Sequence, residues 1–167
     1  HCESSAASDV YKRQVDDIEA DALFIHLNPL QEAVQPEGET DWRGVLAAIE
    51  TLVPRIGCPV IAKEVGAGIS AAAARRLYDA GIHSVDVAGL GGTNWTRIEA
   101  ARREDAALFE PFLDWGVPTV DALLSVRAAC PQGRLIASGG IANGLDAGKA
   151  LWLSLIHISE PTRLNPI

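Results

Sequence analysis

The chain has 167 residues, enough for one ordinary domain, with 48% apolar residues to build a core and 22% charged residues. A formal net charge of −8 leaves no basic stripe for nucleic-acid phosphates, and no run of roughly 18 apolar residues offers a membrane span. The three cysteines, Cys2, Cys58 and Cys130, lack metal-type spacing and fit a reduced, cytoplasmic protein.

Acidity does not exclude a small phosphorylated ligand, which needs only a local positive site. In chain order, His1 to Gln14 shows no apolar face and reads as a leader without fixed structure. Within it, Val10-Tyr11-Lys12-Arg13-Gln14 resembles a translated sequencing-adaptor peptide. The stretch from Ser154 to Arg163 resembles a second one. Residues 1–14 and 154–167 are therefore expected to be foreign to the natural protein, which leaves 15–153 as its domain.

The first strand is the apolar run Ala22-Leu23-Phe24-Ile25, which reads as buried and ends at a turn broken by Pro29. His26, Asn28, Gln31 and Glu32 crowd this tip. A mere corner would use Gly, Asp or Ser, whereas side chains that donate, accept and carry negative charge suit a polar ligand. Thr40-Asp41 predicts the cap of a helix from Trp42, whose stripe runs through Val45, Leu46, Ile49, Leu52, Val53 and Ile56 until Gly57.

Pro59 to Val65 is the second strand, Gly66-Ala67-Gly68 a turn, and Ser70 the cap of a helix from Ala71 to Ala80 that Gly81 closes. Ser84 to Gly89 is the third strand, tipped by Gly91-Gly92-Thr93. A polar excursion through Arg97, Glu99 and Arg103 follows, then helices from Asp105 to Trp115 and from Pro118 to Cys130. Leu135-Ile136-Ala137 is the fourth strand, tipped by Ser138-Gly139-Gly140, and Asn143 to Leu151 the last helix.

Continuous apolar strands joined by helices predict a parallel sheet covered by helices, an α/β fold. An open sheet gathers ligands at one switch point, while a barrel collects them from every strand end. Four loaded tips in succession therefore predict a partial (β/α)8 TIM barrel of about four βα units, where closure takes eight.

Lys63, inside an apolar strand, either snorkels to solvent or meets an anion or an electron-rich cofactor. Alternation sends it and Glu64 to opposite faces. The glycine turns at 91–92 and 139–140 let backbone N–H groups approach phosphate oxygens, with Thr93 and Ser138 adding hydroxyls, although such turns are also common in loops. Glu32 suits Mg²⁺ bridging to substrate phosphates. Gln31 does not titrate near neutrality, so it positions or polarises. Trp95 lines an apolar pocket or simply packs. Taken alone, His26 is more often a hydrogen-bonded core histidine than a ligand-facing one.

The stretches HLNPLQEAVQPEG (26–38), KEVGAGIS (63–70), DVAGLGGTNW (86–95) and SGGIANGLDAGKAL (138–151) resemble, in this order, the type 2 isopentenyl-diphosphate isomerases. The resemblance runs from Ile18 to Leu151. It implies an FMN-dependent (β/α)8 barrel that interconverts isopentenyl and dimethylallyl diphosphate, with Mg²⁺ required and NAD(P)H as reductant. It implies a small diphosphate substrate, no nucleic-acid or membrane partner, and homo-oligomeric full-length members.

By resemblance His26, Asn28, Gln31 and Trp95 face the substrate, Gln31 acting catalytically, and Glu32 holds the metal. Lys63, Thr93, Ser138, Gly139 and Gly140 contact FMN. The family's amino-terminal third and its last strand are not represented, so this chain by itself is expected to be inactive. Two other readings stand beside this one, another FMN barrel such as an α-hydroxy-acid oxidase and a non-catalytic phosphate-binding fragment. The discriminator is Gln31-Glu32: an oxidase would want a histidine base and an arginine for the substrate carboxylate, and the first tip offers no such arginine.

Overall fold

A computed structural model describes residues 2–154 and 158–159. Helix α1 (Cys2–Asp17) leads into β1 (Leu23–His26), α2 (Pro29–Val34) and α3 (Val45–Leu52) with its 3-10 extension Val53–Arg55. Then come β2 (Val60–Lys63), α4 (Ala71–Asp79), β3 (Ser84–Asp86), α5 (Trp95–Ala101), a 3-10 segment (Ala106–Phe112) and α6 (Thr119–Ala129). The chain continues through β4 (Arg134–Ala137), α7 (Gly144–Ser154) and β5 (Ile158–Ser159).

The strands lie in sequence order, β1-β2-β3-β4-β5, and every pair is parallel. Parallel neighbours require crossovers, and the helices between strands supply them. This is the expected α/β fold, a partial (β/α)8 barrel.

Register assigns the two faces. Ile25, Ala62, Val85 and Leu135 are aligned across the sheet and face the helices. There they join Ile49 and Leu52 of α3, Ala74 and Leu77 of α4, and Ala122, Leu123 and Val126 of α6 in one core. The next row, His26, Lys63, Asp86 and Ile136, falls on the other face by alternation. All these residues stand at or near the carboxyl ends of their strands, so the tips share one rim.

Several elements depart from expectation. The leader is helical: α1 runs unbroken through residues 1–14's described part and buries Val15 against the core. Pro29 starts a helix rather than breaking a turn, because its missing N–H is one that the first turn leaves unpaired anyway. The helix expected from Trp42 begins at Val45 with no side-chain cap, since both Asp41 oxygens are taken by Arg43.

The polar excursion contains α5, capped by Asn94, whose Oδ1 accepts from Arg97 N at 2.9 Å. The helix expected over 105–115 is 3-10, with Pro111 inside it. β1 is half-exposed rather than buried, with Phe24 at 47% exposure. A two-residue β5 joins beyond the four expected strands. Apart from Ser154 and β5, the expected tail 154–167 lies outside the described residues. Ser70 caps α4 as expected, accepting from Ala73 N at 3.2 Å.

Candidate active site at the carboxyl ends of the strands

Asp86 ends β3 and is fully buried. Its Oδ2 receives the Lys63 ammonium at 2.5 Å, and its Oδ1 receives the Ser138 hydroxyl at 2.6 Å and the Ala88 amide at 3.2 Å. Lys63 also donates to Ser138 Oγ at 3.3 Å. A buried carboxylate is tolerated only when paired and hydrogen-bonded. Here Lys63 and Ser138 come from the ends of the neighbouring strands β2 and β4, while Ala88 follows β3 itself. Of the two expectations for Lys63, solvent or an anion, the ammonium meets an anion, the Asp86 carboxylate.

Above this group lies a cleft of about 230 Å³ lined by Lys63, Val65, Gly66, Ala88, Thr93, Trp95, Ser138 and Gly139. Its volume is below the roughly 300–1,000 Å³ of a complete small-molecule site, so it accommodates one part of such a ligand. Trp95, 45% exposed, forms a shared wall. On its other side is a narrow niche that includes Gln31, Glu64, Gly66, Asn94 and Thr96. The structure thus gathers Lys63, Thr93, Trp95, Ser138 and Gly139 around one cleft, with Gln31 next door.

Gln31 Nε2 reaches Glu99 Oε1 at 3.4 Å, and Asn28 Nδ2 reaches Gln31 Oε1 at the same distance. Glu99 is buried and takes Arg102 at 2.7 Å on its other oxygen, which keeps its charge compensated. Glu32 is half-buried. Its Oε1 accepts from Asn28 Nδ2 at 2.8 Å and its Oε2 from the Glu39 amide at 2.9 Å. It lines a second cleft of about 270 Å³ with Asn28, Glu39, Asp41, Trp42 and Val45.

Among the described residues no group of three or more His, Cys, Asp or Glu is placed to hold a metal. Each Glu32 oxygen keeps a spare lone pair, and Mg²⁺ commonly uses one or two carboxylates with substrate phosphates and water, so the residues fit that mode of binding. His26, exposed, lies beside Lys63 across the β1–β2 ladder.

The glycine tips answer first to each other. A Cβ on Gly139 (φ +95) would sit 2.1 Å from the Gly89 carbonyl oxygen, and one on Gly140 (φ +77) 2.5 Å from that of Gly91. Glycine is demanded there by backbone meeting backbone, which brings the β3 and β4 tips together. Thr119 fastens them, its amide donating to Leu90 O at 3.2 Å past β3 and its hydroxyl to Gly139 O at 2.6 Å past β4. For FMN the rim offers a buried-base ammonium, an aromatic wall and a tight backbone turn, a set that fits part of a flavin nucleotide. Ser138 borders the cleft but spends its hydroxyl proton on Asp86.

Sequence reasoning missed Asp86, Glu99 and Glu64. Glu64 does not simply oppose Lys63: its buried Oε2 accepts four backbone amides, from Val65, Gly66, Ala67 and Gly68, at 2.6, 2.7, 2.6 and 3.2 Å. Burial pushes its pKa up, against the pull of those amides.

Parallel βα units with charged and glycine-rich tips on one rim define the class, a partial (β/α)8 barrel with its candidate site where such barrels carry theirs. The profile of the family described as FMN-dependent dehydrogenase matches residues 24–154, and the chain belongs to that family. Among curated proteins it is similar to the isopentenyl-diphosphate delta-isomerase of Stutzerimonas stutzeri, 62% identical over 148 residues, which are 87% of this chain and 43% of the relative. The protein of that name from Pseudescherichia vulneris is 54% identical over 91% of this chain and 45% of its own length. That from Xanthobacter autotrophicus is 52% identical over 87% and 43%. The chain thus spans less than half the length of these relatives.

Proposed function

We propose that this chain is part of an isomerase that interconverts isopentenyl and dimethylallyl diphosphate in the cytoplasm, using reduced FMN, Mg²⁺ and NAD(P)H as reductant. The observation that carries the reading is the convergence of Lys63, Thr93, Trp95, Ser138 and Gly139 on one cleft, with Gln31 across the Trp95 wall. The names of relatives more than 50% identical support it.

In this reading reduced FMN supplies proton transfer at the substrate's allylic carbons without net redox change. Lys63 would lie against the electron-rich flavin, where a fixed positive charge would be complementary. Thr93, Ser138, Gly139 and Gly140 cradle its phosphate side. Glu32 would hold Mg²⁺, which would supply charge to neutralise the diphosphate, and His26 and Asn28 would face the substrate. Gln31 is the catalytic amide. Unable to titrate, it orients and polarises, and Glu99 fixes which way its amide points. Trp95 excludes water from the hydrocarbon part.

The test is a chimera in which residues 24–154 replace the matching segment of the Stutzerimonas relative. It should isomerise isopentenyl diphosphate only when FMN, Mg²⁺ and NAD(P)H as reductant are all present. Gln31→Ala and Glu32→Ala should each lower turnover by about a hundredfold or more while FMN stays bound. Full activity in both variants would leave a phosphate-binding module, and oxidation of an α-hydroxy acid would point to the oxidase reading. The chain alone should be inactive, and turnover by it with stoichiometric FMN would overturn that expectation.

A further inference from the structure

We propose that Asp86 is the positioning residue for Lys63, and that one carboxylate sets both the ammonium and the backbone of the cleft floor. The inference rests on the flavin reading only for what Lys63 would touch. The placement itself stands on this chain's own geometry.

Asp86 is 0% exposed, whereas Lys63 is 22% exposed and borders the cleft. A lysine has four rotatable side-chain bonds and, at a cleft wall, every reason to turn to water. Here its Nζ is tied at 2.5 Å to Oδ2 and at 3.3 Å to Ser138 Oγ, and Ser138 is itself tied to Oδ1 at 2.6 Å. The ammonium therefore lies in a triangle whose other corners are rigid, one at the end of β3 and one just past β4. Register supports this, because Lys63 and Asp86 are direct partners across the β2–β3 ladder.

The second function of the carboxylate is at Ala88. This residue has φ +37, in the region that residues with a Cβ seldom enter, and it lines the same cleft. Asp86 Oδ1 accepts its amide at 3.2 Å, and its carbonyl accepts the Gly68 amide at 3.1 Å. The strained turn is held from both sides. Strain persists only where its surroundings over-determine it, and here it fixes where the Gly89–Thr93 tip starts at the wall of the cleft that Lys63 also lines. Ser138, read from the sequence as a cofactor contact, belongs to this support as much as to the cleft.

The test has two arms. In the 167-residue chain, acylation of Lys63 by an N-hydroxysuccinimide ester is timed by mass spectrometry, with Lys12 and Lys149 as internal references. Asp86→Asn should speed Lys63 labelling roughly fivefold or more, the order expected from loss of one charge-assisted hydrogen bond. Ser138→Ala should speed it by less, and the reference lysines should not change. Should Asp86→Asn unfold, Ser138→Ala alone decides. Labelling of Lys63 at the wild-type rate relative to the references overturns the proposal.

In the chimera, FMN affinity is measured for Asp86→Asn, Lys63→Met and the double variant. A residue acting through Lys63 should weaken FMN about tenfold in the first and add nothing once Lys63 is gone. Equal loss in both backgrounds would show a merely structural role and overturn the proposal. If the unsubstituted chimera fails to bind FMN, the flavin reading falls instead, and the labelling rates still decide whether Asp86 positions Lys63.

Discussion

Glu64 sets two forces against each other on a single carboxylate. Four amides from residues 65–68 point at Oε2 and favour the charged form, while burial favours the neutral one, and burial is the larger. A carboxyl whose folded pKa is raised holds its proton more tightly in the native state than in the unfolded chain. Its contribution to stability is full below the ordinary carboxylate range and is lost as pH rises through the raised value. Glu64→Gln has no proton to lose. The advantage of the natural chain over this variant should therefore be greater at pH 4 than at pH 7, read from thermal-unfolding midpoints. An advantage that grows with pH would mean that the amides win. The neighbouring residue shows what sequence can and cannot carry. Lys63 stood out as a charge in an apolar strand, and the same signal, a charge inside Ser84 to Gly89, marks Asp86, which was not singled out. Nothing in one dimension says that the two sit opposite each other, because register is a property of the assembled sheet. Glu99 was hidden for another reason, being a buried acid in a stretch whose charges suggested a solvated loop.

Elements whose signals were local are the ones that sequence made plain. β2, α4 and α6 have their breakers and apolar patterns in place, and the Ser70 cap of α4 forms as read. α5 was not legible because its buried residues, Thr96, Glu99 and Ala100, are mostly polar, so no apolar stripe marks it. The glycine tips belong to this scale too. Their sequence suggested ligand contact, yet packing between β3 and β4 already requires them. Gly139→Ala would place a Cβ 2.1 Å from a backbone oxygen at φ +95. Left-handed strain of roughly 1–3 kcal/mol then adds to overpacking of roughly 1–3 kcal/mol. Urea denaturation should show a loss of that combined order, whether or not FMN is added. A loss under about 0.5 kcal/mol, the size of an ordinary surface change, would mean that the tips can part and that the glycines serve the ligand alone.

At the scale of the molecule, the repeating strand–helix order was legible because each strand is short and punctuated, while the state of its outer strand was not. β1 read as buried from its apolar run, yet in this chain it is the first strand of the sheet, with a neighbour only on the β2 side among the described residues. Leu23 and Ile25 turn to the helices and are partly covered, but Phe24 and His26 are exposed. An apolar edge strand with unpaired backbone groups is a template for pairing with another chain, and no lysine or proline interrupts Leu23–His26 to prevent it. The 167-residue chain should therefore associate as its concentration rises, with the sedimentation coefficient increasing across the micromolar range. Phe24→Lys puts a charge on that edge without touching the core row and should return the chain toward monomer. A monomer at every concentration would mean that the edge is already protected. Association that survives Phe24→Lys would move the contact to another apolar surface, such as the one where Leu108 and the stacked Phe112 and Trp115 are exposed.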